Sequence, residues 1–315
     1  MRENVEAFAR WRFMPRVLVD TSARDLSTTV LGRRVTLPIG IAPFALHGLL
    51  DPDGEVATAR AATAAGVFMG LSMGSNRTIE DVAAAAKCPL WFQPYVTEDH
   101  ALMRDLAARA ESAGYAALCL TADSPVSGRR DGAMRQPAEL PEGVVWANMP
   151  PELQRPGRGK WLTGGDTFDW SDLDRLAAST SLPLVVKGIL APADAVLAIE
   201  HGARAIVVSN HGGRQLDDSI ATLDALPGIV QAVGGKTEIL LDGGIRRGID
   251  VLKALALGAH AVLIGRAAAW GLAAAGQAGV ERVLELLRVE LSVAMSIAGV
   301  TDVRHIDRDL LVGRM

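Results

Sequence analysis

Cysteine is scarce in this chain. Cys88 and Cys119 are the only two among 315 residues, they stand far apart, and they form no metal-like spacing. A disulfide scaffold is thereby excluded, and a reducing compartment, hence a cytoplasmic location, is the expectation. An excess of basic charge is missing too: 32 Lys and Arg face 36 Asp and Glu, a net charge of -4, which leaves no footprint for nucleic acid. Aromatics contribute only 4% while 49% of the residues are apolar, the composition of a soluble, alanine-rich globular protein rather than a fibrous or disordered one. Nor is there a long uninterrupted apolar run. The most apolar window, 255–276, is broken by Gly258, His260 and Arg266 and reads as a strand flanked by helices, not a membrane span. The opening MRENVEAFARWRF is charged throughout and lacks the apolar centre of a secretory signal.

What the chain does have is a repeating alternation. After a helical lead-in at 4–13 and a polar connector, apolar runs at 37–43, 67–73, 89–96, 115–121, 182–188, 203–209, 237–244 and 259–265 read as eight buried strands. Helical periods follow them at 54–65, 78–86, 99–112, 171–179, 191–201, 222–233, 249–257 and 271–297, with Thr78 and Ser171 as expected caps. Length alone suggests two domains, but eight strand and helix units predict one (β/α)8 TIM barrel over 1–315. Within it, 1–36 is a lead-in. The stretch 124–170, rich in Pro, Gly, Arg and Trp without a period, is a long loop of the active-site kind. A doubly wound sheet would carry GxGxxG after its first strand, and Ile41-Ala42-Pro43-Phe44-Ala45 stands there instead.

A barrel of this type places its chemistry at the C-terminal ends of its strands. Read in order, those ends carry Pro43 and Ala45, Ser72, Gln93 and Tyr95, Thr121 and Asp123, Lys187, then Ser209 and His211 with Arg214. The last two carry Asp242, Gly243, Gly244 and Arg246, and Gly265 with Arg266. So many polar groups at one rim are costly unless a polar ligand meets them. Glycine amides and arginines after the last two strands suit a phosphate. Lys187, ending an otherwise apolar strand, needs an anion opposite it or serves as a Schiff-base lysine, and a flavin with its negative reduced ring satisfies the first option.

The stretch Ser209-Asn210-His211-Gly212-Gly213-Arg214-Gln215 resembles the active-site signature of the FMN-dependent 2-hydroxy acid oxidases and dehydrogenases, which include glycolate oxidase, lactate oxidase and mandelate dehydrogenase. Ile41-Ala42-Pro43, Leu71-Ser72, Phe92-Gln93-Pro94-Tyr95, Leu120-Thr121-Ala122-Asp123, Gly128-Arg129-Arg130, Val186-Lys187-Gly188, Leu241-Asp242-Gly243-Gly244 and Ile264-Gly265-Arg266 are similar to that family as well. The resemblance implies oxidation of an L-2-hydroxy acid to the 2-oxo acid, with His211 taking the substrate proton and Asp123 paired to it. Arg214 and Arg130 would hold the substrate carboxylate, and Tyr95 would donate a hydrogen bond to the substrate. Pro43, Ala45, Ser72, Gln93, Thr121, Lys187 and Ser209 would meet the flavin ring or ribityl chain, and Asp242, Gly243, Gly244, Arg246, Gly265 and Arg266 the ribityl and phosphate. It further implies a tetramer, with oxygen or an unidentified group as electron acceptor; neither nucleic acid nor membrane is an expected partner, given the net charge and the polar character of 150–165.

Some features depart from that pattern. The loop reads Asp131-Gly132-Ala133-Met134-Arg135-Gln136-Pro137 where the family usually carries an acidic residue and an Arg-Asn pair, and Pro94 replaces a commoner leucine. Residues 150–165 are polar and rich in Pro and Gly, unlike the membrane-binding insertion of some relatives. Gly74 stands where glycolate oxidases carry a bulky aromatic, so the expected substrate has a larger side chain than glycolate. The family's Tyr-Tyr-x-x-Gly-Ala segment has no counterpart, since Tyr95 and Tyr115 are the only tyrosines. One substrate hydrogen bond is thus expected to be lost or to be replaced from 125–165. Two other functions remain open at this level: another FMN barrel enzyme, such as a peptide-modifying oxidoreductase or an isomerase, and a flavin-binding homologue with weakened catalysis.

Overall fold

The lead-in is more divided than its periodicity suggests. In the computed structural model, which describes residues 1–97, 99–128, 135, 141–154, 168–306 and 308–313, the expected helix at 4–13 is a short helix Arg2–Glu6, a 3-10 turn Ala7–Arg10 and a strand β1 (Trp11–Phe13). The polar connector also hides a hairpin of β2 (Thr28–Val30) and β3 (Arg33–Val35), turned by Leu31 and Gly32 with φ of 48° and 73°. Both turn residues are left-handed, as a tight two-residue hairpin demands. Val30 and Val35 then pack into the lower end of the barrel interior, which explains why so polar a segment is retained there.

The barrel follows. β4 (Ile39–Ile41), β5 (Phe68–Ser72), β6 (Leu90–Gln93), β7 (Ala117–Thr121), β8 (Leu184–Ile189), β9 (Ala205–Val208), β10 (Glu238–Asp242) and β11 (Ala261–Ile264) are the eight expected strands, all starting later than expected and most ending earlier, though β7 ends where expected and β8 runs one residue further. They pair in parallel and close in the order β10-β11-β4-β5-β6-β7-β8-β9. A last strand, β12 (Leu311–Gly313), pairs antiparallel with β1 outside the barrel. Helices Glu55–Ala65, Ile79–Ala85, His100–Ser112, Trp170–Ala177, Pro192–Glu200, Thr222–Val233, Gly248–Ala256 and Arg266–Ala298 cover the outside. The last is broken at Ala275 and Gly276, where the backbone leaves helical angles. Thr78 caps its helix by accepting from Asp81 N at 3.0 Å, as expected. The helix expected to start at Ser171 is instead capped by Asp169, whose carboxylate accepts from Ser171 N at 2.8 Å. Among the described residues no helix is long and apolar enough to cross a membrane.

Strand periodicity sets the two sides of the wall. Met69, Leu71, Phe92, Leu118, Val186, Ile206 and Leu241 pack outward beneath the helices, whereas Phe68, Trp91, Cys119, Val185, Val207, Leu240 and Leu263 fill the interior. Further along the inward-facing positions, two residues on in most strands and four on from Phe68, the sequence changes character: Ser72, Gln93, Thr121, Lys187, Ser209 and Asp242 form a buried polar layer on top of an apolar plug. Period 2 thus delivers six polar side chains to one level of the barrel.

Candidate active site

That polar layer is internally organised. Lys187, only 4% exposed, places Nζ 3.1 Å from Asp242 Oδ2 and donates to Ser209 Oγ at 3.0 Å. Burial alone would lower the lysine's proton affinity, but Asp242 and then Asp123 outweigh it, so its pKa lies above the ordinary value and the ammonium stays charged. A Schiff base at Lys187 would require a neutral amine, and this environment opposes one. Next to it, Gln93 Nε2 donates to Thr121 Oγ1 at 2.6 Å and to the Pro94 carbonyl at 3.2 Å.

Above the layer, β8 bulges after Lys187, and Gly188 sits at φ 112°. A Cβ there would fall 2.6 Å from Asp123 Cβ, so glycine is what lets the loop after β7 settle against β8. Asp123 thereby meets His211, whose own backbone is left-handed at φ 56° and leads into Gly212 and Gly213. Such a conformation is unusual for a residue with a side chain and clusters at functional sites. Asp123 Oδ1 lies 3.0 Å from His211 Nδ1, and the two side chains are 12% and 22% exposed. Burial raises the pKa of Asp123, yet the His211 hydrogen bond and the nearby Lys187 charge prevail and hold it below the usual carboxylate range. An ionised Asp123 accepts a hydrogen bond from Nδ1–H, which selects the ring tautomer with Nε2 as its acceptor nitrogen.

The surrounding cavity measures about 470 Å³ and is lined by Pro43, Ala45, Ser72, Gly74, Tyr95, Lys187, His211, Arg214, Asp242, Gly243, Gly244, Arg246, Gly265 and Arg266 among others. Thus the structure brings most of the sequence-predicted site residues to one hollow of ligand size. Gln93, Thr121, Asp123 and Ser209 do not line it: Gln93 bonds to Thr121, Asp123 pairs with His211 and Ser209 accepts from Lys187. Arg130 lies outside the described residues. At Gly74 the expected open space is shared: an added Cβ would stand 3.2 Å from Ala45 Cβ and 3.7 Å from Nε1 of Trp146, a buried ring from the loop after β7. Sequence reasoning passed over Trp146, because that loop has no period to signal a wall.

Toward β10 and β11 the cavity is built for an anion. Arg266 opens the last helix and donates Nη2 to the Gly212 carbonyl at 2.9 Å, while its Nη1 is buried with no hydrogen-bond partner among the described residues. Arg246 stacks 4.7 Å from the Trp270 ring. Burial lowers the pKa of both guanidiniums, and Arg266 lowers that of Arg246 further by repulsion. Two cations that discourage one another beside the Gly243-Gly244 turn and a helix N-terminus would be relieved by a phosphate. Asp242 Oδ1 is likewise buried without a partner. The donors and acceptors left over suit a ligand with an anionic end and a hydrogen-bonding chain, as FMN has.

Asn4 is a second residue that sequence reasoning did not assign. It is 2% exposed and exchanges two amide hydrogen bonds of 2.8 Å with Asn210, bracing the His211 loop from the N-terminal helix. Its backbone also lies against Gly244, where an added Cβ would be 2.1 Å from the Asn4 carbonyl oxygen.

An eight-stranded barrel with this polar layer, the His211 and Asp123 pair and two arginines at one end has the residues that a flavin-dependent oxidoreductase of the TIM-barrel class requires. Comparison with known proteins makes the assignment specific. The model of the FMN-dependent dehydrogenase family matches residues 1–313, and the chain belongs to that family. It is 49% identical to an L-lactate oxidase from Nostoc sp., with 99% of this chain and 89% of the relative covered. It is 44% identical to glycolate oxidase 5 from Oryza sativa subsp. japonica, covering 99% and 87%. Among solved structures, a mandelate oxidase superposes with a TM-score of 0.90 at 43% identity, covering 99% of this chain and 88% of that one. An active chimera of (S)-mandelate dehydrogenase gives 0.93 at 38% identity, covering 99% and 90%. The protein is therefore an FMN-dependent oxidoreductase of the 2-hydroxy acid oxidase family.

Proposed function

We propose that the chain oxidises an L-2-hydroxy acid to the corresponding 2-oxo acid, with His211 as the base and Arg214, together with Arg130, as the carboxylate anchor. The observation that carries this reading is the His211 and Asp123 pair at 3.0 Å, set at the wall of a cavity that also takes in Arg214. With Nδ1 committed to Asp123, Nε2 takes a substrate proton, and the carboxylate stabilises the imidazolium that results. A planar guanidinium meets a carboxylate with two parallel hydrogen bonds and so fixes which carbon faces the base. Tyr95, on the cavity wall, supplies a hydroxyl to the substrate. FMN, when bound, accepts the two electrons that leave the substrate. Pro43, Ala45, Ser72, Gln93, Thr121, Lys187 and Ser209 would hold its ring and ribityl chain; Asp242, Gly243, Gly244, Arg246, Gly265 and Arg266 would hold the ribityl and phosphate end.

The wall of the cavity includes the apolar side chains of Phe44, Leu46 and Val126, together with Gly74. An apolar wall repays an apolar substituent, at about 0.8 kcal/mol for each methylene buried. The substrate is accordingly expected to be larger than glycolate, in keeping with the likeness to a mandelate oxidase. Steady-state kcat/KM for glycolate, lactate, 2-hydroxyoctanoate and mandelate, with the 2-oxo acid identified as product, tests the proposal. A higher value for the two large acids than for glycolate is the expected order; a clear preference for glycolate would reject the size argument, and no turnover of any of them would reject the function.

A further inference from the structure

Behind the base, one side chain spans the two loops that form the pair. Gln215 follows Arg214, and its Nε2 lies 3.0 Å from the Asp123 carbonyl oxygen, 2.7 Å from Ser124 Oγ and 3.2 Å from the Val126 carbonyl oxygen. Its Oε1 accepts from Gly128 N at 3.1 Å. An amide has two N–H protons and one carbonyl oxygen, so every hydrogen-bonding group of this side chain is spent on residues 123–128. The backbones are equally close from the other side: a Cβ on Gly128 would lie 2.5 Å from the Arg214 carbonyl oxygen and 2.6 Å from Gln215 Cα. Backbone atoms cannot swing aside as a side-chain tip can, so nothing larger than glycine fits at that approach.

We propose that Gln215 is a positioning residue: it fixes the loop of Asp123 and Ser124 against the loop of His211 and Arg214, and so sets the orientation of the base relative to the carboxylate anchor. Ser124 carries the arrangement inward. Its Oγ accepts from Gln215, which leaves the hydroxyl proton for Asp123 Oδ1 at 3.2 Å, while the same Oγ sits 3.4 Å from His211 Nδ1. Asp123 is thus held by its backbone carbonyl, by its neighbour's hydroxyl and by Gly188 beneath it. Without the clamp, Asp123 would keep its place in the sequence but lose the constraint that aims it at Nδ1.

This inference rests on the assignment of His211 as base, and the experiment separates the two. Gln215→Met keeps the length of the side chain and removes its hydrogen bonds; Gln215→Glu keeps the size and the acceptor but removes the donors. Both are expected to lower kcat by about tenfold or more, the scale of one or two lost hydrogen bonds. KM for the best 2-hydroxy acid, the Kd for FMN and the thermal midpoint should stay near wild type. Gly128→Ala, which keeps the Gln215 side chain but presses a methyl group against the Arg214 and Gln215 backbone, should lower kcat in the same direction by forcing the loops apart. A Gln215→Glu enzyme with wild-type kcat would overturn the proposal, as would a Gln215→Met protein that unfolds or releases FMN, since the residue would then be a structural strut. If instead the wild-type protein fails to turn over any 2-hydroxy acid, it is the functional reading that fails.

Discussion

His211→Ala should bind FMN with near wild-type affinity and lose turnover by about 10² to 10⁴-fold, the contribution of a positioned general base. The expectation follows from where the imidazole stands. His211 borders the cavity and is paired with Asp123, whereas the contacts of Lys187 with Asp242 and Ser209 do not involve its ring. Removing the ring therefore takes away the base and leaves the cofactor end intact. Titration of the apoprotein with FMN, followed by kcat at saturating substrate, separates the two effects. Equal loss of FMN and of activity would assign His211 a structural role.

Lys187→Met should be the most damaging substitution for stability. The ammonium is 4% exposed and the carboxylate of Asp242 is 6% exposed, so deleting the cation leaves a buried charge 3.1 Å from where its partner stood. Breaking such a pair from one side costs about 3–5 kcal/mol. Asp242→Asn in the Lys187→Met background removes the stranded charge and should recover a large part of the loss. Denaturant unfolding of the FMN-free single and double variants measures both quantities. A single variant within about 1 kcal/mol of wild type would show that Asp242 is compensated by another group.

The eight strands were legible because parallel strands buried on both faces are continuous apolar runs, which chance composition rarely produces eight times at regular spacing. Their polar ends were legible for the same reason: Lys187 after Val185-Val186 and Asp242 after Leu240-Leu241 break an apolar pattern at one end only. Where the reading failed, the signal was short or distant. β2 and β3 have three residues each, too few to show a period, and their role depends on Val30 and Val35 reaching a barrel mouth that forms far along the chain. The cap at Asp169 rather than Ser171 turns on which of two good capping residues the backbone selects, and propensity does not decide that. Asn4 bonds across 206 residues to Asn210, and Trp146 reaches Gly74 from a loop without a pattern. Gln215 stands within the family-like signature, but no local pattern in the sequence places residues 123–128 against it.

The most direct test of the account is anaerobic mixing of the FMN-loaded protein with each enantiomer of mandelate and of lactate while the flavin absorbance is followed. Without oxygen, the only electrons that can bleach the flavin come from the acid, so the measurement does not depend on the identity of the electron acceptor. The account predicts rapid bleaching by the L enantiomers, formation of the 2-oxo acid in proportion to flavin, and bleaching slowed by at least about 10²-fold in His211→Ala. Flavin that binds but stays oxidised in the presence of every 2-hydroxy acid would contradict it.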